Sequence, residues 1–157
     1  MTNIFRMKNI LYLLLILAFA GCKREKNKEY YQTFEKDTWQ RYNILRFYIP
    51  VTKSDKPVDI YLYARFTGAF EYESLSFNMV MSTPSGEERI KESGIKVKSP
   101  DGSFLIPKNN DRYEGIVLMK KELYFNEKGI LKIEIENLTP RLETRGISGI
   151  GIRLVNP

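Results

Sequence analysis

The sequence contains no histidine, and its single cysteine is Cys22. The missing histidines exclude Ser–His–Asp and Cys–His catalysis, and they remove the side chain that most often exchanges protons near neutral pH. The common zinc ligand sets need histidine or several cysteines, so they are excluded as well. One cysteine cannot form a disulfide within the chain. Any catalysis would therefore depend on carboxylates, and stability would depend on a core that needs no covalent crosslink.

Long apolar runs are also scarce, because only residues 10–21 form one. These twelve residues are too few for a transmembrane helix, which needs about 20, but they match the apolar region of a secretory signal, usually about 7–15 residues. Arg6 and Lys8 precede the run, and small residues stand directly before Cys22. The segment resembles a bacterial lipobox, with Phe19 in place of the usual leucine. That resemblance implies cleavage before Cys22, a diacylglycerol on its sulfur and a fatty acyl chain such as palmitate on the new N-terminus.

Two other interpretations of this segment remain open: an ordinary signal with an accidental cysteine, and a short uncleaved anchor. Under the lipoprotein interpretation Cys22 is a point of lipid attachment and not a nucleophile. Three acyl chains, each gaining about 0.8 kcal/mol per buried CH₂, would make the anchoring effectively permanent.

The domain organisation follows from a change in composition after the cysteine. Residues 1–21 are interpreted as the lipoprotein signal peptide, residues 22–37 as a charged tether, and residues 38–157 as a single β-sandwich domain. Loss of the two basic residues in the signal lowers the net charge from +6 to +4. We interpret the basic run after Cys22 as a solvated tether, in preference to a patch that binds anionic lipid head groups. The basic residues match no nucleic-acid-binding signature, so nucleic acid is excluded as a partner.

From Trp39 onward the sequence alternates between apolar and polar residues. The segments "YNILRFYIPV", "VDIYLYARF", "SLSFNMVMS" and "LKIEIENL" repeat with the period of two that is typical of half-buried strands. Clusters rich in Gly, Pro, Asn and Asp separate them, and no stretch of the predicted domain carries a helical apolar stripe. The glycines of "GISGIGIRL" indicate a bulge or close sheet packing. The pattern predicts an all-β fold of about seven or eight strands, arranged as an antiparallel two-sheet β-sandwich or jelly roll.

The acidic residues show no arrangement that predicts catalysis or metal binding. Glu134 and Glu136 lie on the polar side of an alternating strand and are interpreted as solvated surface. Asp101 stands alone in "SPDGS", which predicts a turn and not a calcium loop. A glycosidase would need a second carboxylate held roughly 5–10 Å from the first, which the sequence does not indicate. We therefore predict no enzymatic activity, no metal and no cofactor.

Aromatic side chains provide the more informative surface. If the aliphatic residues of "LRFYIPV" and "DIYLYARF" face the core, the tyrosines and arginines between them face outward. Tyrosine and arginine are enriched at protein interaction hot spots, and tyrosine rings also offer faces that stack on sugars. Two alternatives remain open, because tyrosine is a good strand former and because a loop could cover this face. The predicted interaction surface consists of Arg46, Tyr48, Tyr61, Tyr63 and Arg65.

Several segments, taken in order, resemble the GldH family of gliding-motility lipoproteins of the Bacteroidetes. After the lipobox these are "YYQTFEKDTW", "IYLYARFTGAFEYESLSF", "SPDGSFL", "YFNEKGILKIEIENLTPR" and "GISGIGIRL". The chain departs from the family pattern after Gly102, where "SFLIPK" replaces the usual Trp and Gly, and at Pro140. The resemblance adds Tyr72 to the predicted interaction surface. The residues that match the family pattern are Trp39, Arg65, Tyr72, Gly102, Gly129 and Arg141.

Membership of this family would imply an outer-membrane lipoprotein associated with the gliding or type IX secretion apparatus, with no enzymatic activity and no defined ligand. We expect a structural or interaction component of an envelope complex, held in the membrane by the lipid on Cys22, with envelope proteins as partners. The alternatives are a surface module that binds glycans and a hydrolase that uses paired carboxylates. Lys23 is not the aspartate that retains many lipoproteins at the inner membrane, which predicts the outer membrane. The tether also lacks the acidic cluster that often directs such lipoproteins to the cell surface, so the periplasmic side is favoured.

Overall fold

The computed structural model describes residues 27–157, so the predicted signal peptide, Cys22 and the first part of the predicted tether lie outside the described residues. Within this range the chain forms eleven β-strands and one 3₁₀ turn, Glu35–Asp37. No helix among the described residues has the length and apolar character needed to span a membrane. The strands are β1 (Lys28–Thr33), β2 (Thr38–Gln40), β3 (Leu45–Val51), β4 (Ser54–Phe66), β5 (Ser74–Ser82), β6 (Glu88–Lys96), β7 (Lys108–Asn109), β8 (Arg112–Phe125), β9 (Gly129–Asn137), β10 (Glu143–Arg145) and β11 (Ile147–Val155).

The predicted all-β class is confirmed, and every strand pairing in the described part of the chain is antiparallel. The number of strands is higher than the sequence predicts. β2, β7 and β10 have only two or three residues, which is too short for a period of two to be recognised. β1 lies inside the segment that the sequence predicts as a tether.

Two main sheets pack face to face. One has five strands in the order β1-β11-β4-β8-β7, and the other has four in the order β3-β9-β5-β6. A separate ribbon pairs β2 with β10. Along β3, β5 and β9 buried side chains alternate with more exposed ones, and the buried side chains of both sheets form one core cluster. At one pair of edges the amide of Gln32 in β1 donates to the carbonyl oxygen of Arg46 in β3 at 2.8 Å, which ties the two sheets together.

The predicted boundary of the tether, residues 22–37, is corrected by the structure. Lys28–Thr33 form β1, which pairs with β11 along its whole length, and the chain continues into the 3₁₀ turn. The sequence pattern does not reveal this strand, because the strand contains no aliphatic side chain. Its packing comes instead from Tyr30, which contacts the core, and from Tyr31, which stacks on another tyrosine. Among the described residues, the first strand therefore begins at Lys28, inside the predicted tether.

The strand directions give the sandwich two unlike ends. β1 begins at one end, where β3 and β8 finish, and Lys28, Val51 and Phe125 line a common cavity there. We call this the turn end, because its connections are short: residues 52–53, 83–87 and 126–128. We call the opposite end the loop end, because it carries the longer connections: residues 34–44, 67–73, 97–111 and 138–146, which include the small strands β2, β7 and β10.

Trp39 closes the core at the loop end. Its side chain is fully buried, and its ring stacks on Phe34 with 5.4 Å between the centroids. Its indole N–H donates to the carbonyl oxygen of Asn43 at 2.8 Å. In the adjoining strand β10, the buried hydroxyl of Thr144 accepts a hydrogen bond from the amide of Asn137 at 2.9 Å. These bonds satisfy buried polar groups that would each cost about 1–3 kcal/mol if left unpaired.

Candidate interaction surface

The strand residues predicted as an interaction surface do not form one surface. Arg46 and Tyr48 lie on β3, in the four-stranded sheet. Tyr61, Tyr63 and Arg65 lie on β4, in the five-stranded sheet. Because the buried sides of the two sheets face each other, their solvent sides point in opposite directions. The structure therefore brings the three β4 residues together and separates them from Arg46 and Tyr48 by the thickness of the sandwich.

Tyr72 lies in the connection between β4 and β5 and belongs to neither sheet face. Its ring contacts Phe70 edge-on, with 5.8 Å between the centroids, and packs against the core. Its hydroxyl is buried and has no hydrogen-bond partner within the part of the chain that the structure describes. The residue contributes to packing at the loop end, and its role in partner binding stays a prediction.

Tyr63 points outward from β4, but only 1% of its surface is exposed. In the sheet register Gly151 of β11 lies between Tyr31 of β1 and Tyr63. The two tyrosine rings stack with 5.6 Å between the centroids and 8° between the planes. A Cβ atom at position 151 would lie 2.5 Å from Cε1 of Tyr63, so glycine leaves the room that the ring occupies. Neighbouring side chains thus close this ring off from solvent.

Two arginines lie against the stacked tyrosines. The Cζ atom of Arg65 is 4.9 Å from the ring centroid of Tyr31, and that of Arg153 is 4.8 Å from the ring centroid of Tyr63. At these distances a guanidinium is attracted to the negative face of the ring, a contact worth about 0.5–1 kcal/mol at an exposed site. Burial raises the pKa of both tyrosine hydroxyls, although the arginines oppose this effect. The rings therefore remain neutral at physiological pH.

Carboxylates hold the two arginines in place. Glu114 of β8 bridges them, with one oxygen 3.0 Å from Nε of Arg65 and the other 3.5 Å from Nη2 of Arg153. Glu29 of β1 contacts Nε of Arg153 at 2.6 Å. The hydrogen bond that Arg65 donates to Glu114 raises the pKa of Arg65. Surface ion pairs of this kind contribute about 0–1 kcal/mol each, so their main effect is to fix the orientation of the side chains.

An apolar strip continues from the tyrosines onto β8. Ile116 pairs with Tyr63 and Leu118 pairs with Tyr61 in the sheet register. Ile116 is 48% exposed and Leu118 is 37% exposed. The outer face of the five-stranded sheet thus presents rigid aromatic and aliphatic side chains beside ordered guanidinium groups. We call it the tyrosine–arginine face and define it by Glu29, Tyr31, Tyr61, Tyr63, Arg65, Glu114, Ile116, Leu118 and Arg153.

The outer face of the four-stranded sheet has a different character. Glu134 of β9 contacts both Nζ of Lys132 and Nε of Arg46 at 2.8 Å. The hydrogen bonds from Lys132 and then Arg46 lower the pKa of Glu134. Tyr48 is 59% exposed on this face. Arg46 is therefore engaged within its own sheet, and Glu134 is an ion-paired surface acid.

Asp101 organises the turn between β6 and β7. Its carboxylate accepts hydrogen bonds from the hydroxyl of Ser99, from the hydroxyl of Ser103 at 2.7 Å and from the backbone N–H of Ser103 at 3.0 Å. These bonds, that from Ser99 first, favour the charged form and lower the pKa of Asp101 from 3.8 to about 2. The observed turn agrees with the interpretation of "SPDGS" as a structural segment.

This turn gives the first testable prediction. Because the pKa of Asp101 is lower in the folded state than in the unfolded state, its hydrogen bonds contribute fully above pH 3.8 and are lost as the pH falls toward 2. A carboxyl-carbon NMR titration should give a midpoint near 2 in the wild type. Ser103→Ala should move the midpoint upward, because the variant loses one of the bonds to the carboxylate. A wild-type midpoint near 3.8 would refute this description of the turn.

Two concave sites lie at the ends of the sandwich. A cavity of about 130 Å³ at the turn end is lined by Lys28, Val51 and Leu154, among others. A cleft of about 850 Å³ at the loop end lies between the 3₁₀ turn and the ribbon, with Asp37 and Arg145 among its lining residues. Within residues 27–157 no group of three or more acidic, histidine or cysteine side chains is arranged to hold a metal ion.

The sequence pattern misses six of the nine residues that define the tyrosine–arginine face, including Ile116 and Leu118 and the four that order its aromatic and charged groups. Tyr31 and Glu29 lie in the segment predicted as a tether, and Glu114 and Arg153 lie on strands far away in sequence. The alternation of "GISGIGIRL" indicates that Arg153 faces away from the core. Only the order and register of the strands show which residues are its neighbours.

Comparisons with known proteins agree on one family. A family model described as GldH lipoprotein matches residues 26–154. The chain is also similar to the gliding motility lipoprotein GldH of Flavobacterium johnsoniae, with 26% identity over 158 residues, which cover 95% of this chain and 97% of the relative.

Two solved structures of viral chains show remote similarity to this chain. The VP2 subviral particle of infectious bursal disease virus matches with a TM-score of 0.38 and 11% identity, and the match covers 84% of this chain and 33% of the viral chain. The Gx strain of the same virus matches with a TM-score of 0.35 and 10% identity over 84% of this chain and 34% of that chain. The chain thus spans about a third of the length of these viral chains.

Proposed function

The chain belongs to the GldH family of gliding-motility lipoproteins, and from this premise we propose that it is a non-catalytic interaction component of an envelope complex. The complex is one associated with gliding motility or type IX secretion. In this proposal a lipid on Cys22 anchors the protein in the outer membrane, and the folded domain lies on the periplasmic side.

The structure of the tyrosine–arginine face supports the proposed interaction role. Tyrosine and arginine are enriched at binding hot spots, and such residues bind best when they lie in well-packed and ordered positions. Here ring stacking, cation–π contacts from two arginines and a bridging carboxylate order the face before any partner arrives. Ile116 and Leu118 add exposed apolar area next to it. Preorganisation of this kind lowers the conformational entropy that binding costs.

The state of the acidic side chains supports a non-catalytic role. A carboxyl group that acts as a general acid near neutral pH needs a raised pKa. Glu134 and Asp101 instead have lowered pKa values, and Glu114 is shared between two arginines. These acids fix neighbouring side chains or a turn.

The geometry favours a protein partner over a glycan. A sugar-binding surface built on Tyr48, Tyr61 and Tyr63 would need these rings to be open and close together. The ring of Tyr63 is buried, and Tyr48 lies on the opposite side of the sandwich from Tyr61. The described arrangement therefore gives no support to the glycan-binding alternative.

The second prediction tests this proposal with charged substitutions on the tyrosine–arginine face. The tagged full-length protein is cross-linked in the cells it comes from, and the proteins recovered with it are identified by mass spectrometry. Ile116→Asp combined with Leu118→Asp should reduce the recovery of envelope partners at least tenfold, because about 1–2 kcal/mol is lost at each hot-spot position.

A matched control uses exposed isoleucines on the other sheet. Ile90 and Ile130 are 67% and 48% exposed on the outer face of the four-stranded sheet. Ile90→Asp combined with Ile130→Asp should leave partner recovery and thermal stability close to those of the wild type. If both double variants lose partner recovery equally, or if both recover the same partners at full yield, the tyrosine–arginine face is not the interaction surface.

A further inference from the structure

We propose that the loop end carries a second docking site, an exposed apolar tip formed by Tyr42, Ile44 and Leu142, which inserts into an apolar, acid-rimmed pocket of a protein partner. This inference rests on the proposed lipid at Cys22, because the anchor defines which end of the sandwich lies away from the membrane. We call these three residues with Arg41 the loop-end tip.

The position of the anchor places the tip far from the membrane. Lys28, the first residue of β1, follows Cys22 by six positions, so an extended chain would separate them by at most about 20 Å. Lys28 lies at the turn end with Val51. From there β3 runs seven residues to Leu45, or roughly 20 Å along the strand, and the tip lies just beyond that residue. The proposed anchor is therefore joined to the turn end within about 20 Å, and the tip lies at the opposite end of the sandwich, which favours a position away from the bilayer.

The tip is unusually apolar for a solvent-facing turn. Tyr42 is 81% exposed, Leu142 is 61% exposed and Ile44 is 37% exposed. The two segments that carry these side chains are adjacent, since the backbone N–H of Arg41 donates to the carbonyl oxygen of Leu142 at 2.8 Å. Exposed apolar groups on adjacent segments are typical of protein interaction sites.

The tip is also held rigidly by the structure below it. The buried indole of Trp39 donates to the carbonyl oxygen of Asn43, and the N–H of Asn43 donates to the carbonyl oxygen of Gln40 at 3.0 Å. The N–H of Ile44 donates to the carbonyl oxygen of Tyr42 at 3.1 Å. A turn fixed in this way presents its side chains without further ordering, which favours binding.

The charges around the tip indicate the chemistry of the partner. The guanidinium of Arg41 donates a hydrogen bond to the carbonyl oxygen of Pro140 at 3.3 Å. No carboxylate in the described residues lies within ion-pair distance of this guanidinium. Arg141 contacts Glu71 at 3.1 Å, and Arg145 contacts Glu143 at 3.7 Å. Three arginines thus meet two carboxylates, which leaves one guanidinium charge uncompensated. Acidic groups at the rim of the partner's pocket would complement that charge.

A photo-reactive amino acid at position 42 tests the proposal in the full-length lipoprotein in its own cells. The control position is 124, where Tyr124 is 52% exposed toward the turn end of β8. We expect position 42 to form an adduct with one envelope protein, identified by mass spectrometry, and position 124 not to form it. Arg41→Glu should lower the yield of this adduct at least tenfold, because it reverses the charge that the acidic rim would recognise.

A matched pair of double variants separates a loss of partner binding from a loss of folding. Tyr42→Ser with Leu142→Ser should reduce recovery of that partner at least tenfold, whereas Tyr124→Ser with Ile130→Ser should not. Adducts to lipid at position 42, or equal adducts at both positions, would overturn the proposal. If cross-linking of the whole protein recovers partners but position 42 forms no protein adduct, the tip proposal fails and the proposed function stands. If no partner is recovered by either route, both fail.

Discussion

Gly146→Ala is expected to lower the free energy of unfolding by about 2–5 kcal/mol, a large fraction of the 5–15 kcal/mol that is typical of a domain. Gly146 has a φ of +81°, which strains any residue with a Cβ atom. The added Cβ would lie 2.5 Å from Cα of Phe70 and still closer to its nitrogen, so the obstacle is backbone that cannot rotate away. The N–H of Gly146 also donates to the carbonyl oxygen of Asp37 at 2.8 Å, which fixes its position.

Gly86→Ala is the matched control for this prediction. Gly86 has a similar φ of +84°, but no atom lies within 4 Å of a Cβ built there. Its substitution should therefore cost only the backbone term, about 1 kcal/mol. Urea unfolding of a soluble form that begins after Cys22 would measure both variants. Equal destabilisation by the two substitutions would show that the contact between Gly146 and Phe70 does not constrain the loop end.

Cys22→Ser is expected to abolish lipidation completely, because serine cannot accept the thioether-linked diacylglycerol that the lipobox resemblance implies. Cells fed an alkyne-labelled fatty acid should incorporate the label into the wild-type protein and not into this variant. The mature wild-type protein should also begin at residue 22. Cys22 lies outside the described residues, so this experiment tests the proposed lipid attachment independently of the structure of the folded domain.

Phe19→Leu provides the control for lipidation. It restores the leucine that usually stands three residues before the cysteine, so labelling should equal or exceed that of the wild type. Persistence of the label in Cys22→Ser, or a wild type that incorporates none, would contradict the anchoring model. In that case no anchor would hold the turn end toward the membrane, and the loop-end tip would have no defined orientation.

The sequence predicts the parts of the fold in which one strand face is buried by aliphatic side chains. β3 and β9 are recognisable because Leu45, Phe47 and Ile133 recur with a period of two. β1 is difficult to recognise because it contains no aliphatic side chain and its two tyrosines are adjacent, so they do not alternate with polar residues. The predicted all-β class is therefore confirmed, while β1 lies inside the segment that the sequence predicts as a tether.

The candidate site is harder to predict from the sequence than the fold class, because it depends on the order of the strands in the sheets. Nothing in the alternation of β3 and β4 shows that these neighbours in sequence belong to different sheets, which separates Tyr48 from Tyr61. The burial of Tyr63 depends on Gly151 and Tyr31, which lie on either side of it in chain order. Long-range pairing of this kind leaves no periodic signal in any single segment.

The size of the assembly that contains the protein distinguishes an interaction component from a free-standing domain. Membranes of cells that carry the tagged full-length protein would be solubilised in mild detergent after light cross-linking and separated by native electrophoresis, and each band would be analysed by mass spectrometry. The account predicts that the protein migrates in a complex with defined envelope proteins. Migration as a monomer with no enriched envelope protein would contradict the claim that this lipoprotein acts as an interaction component.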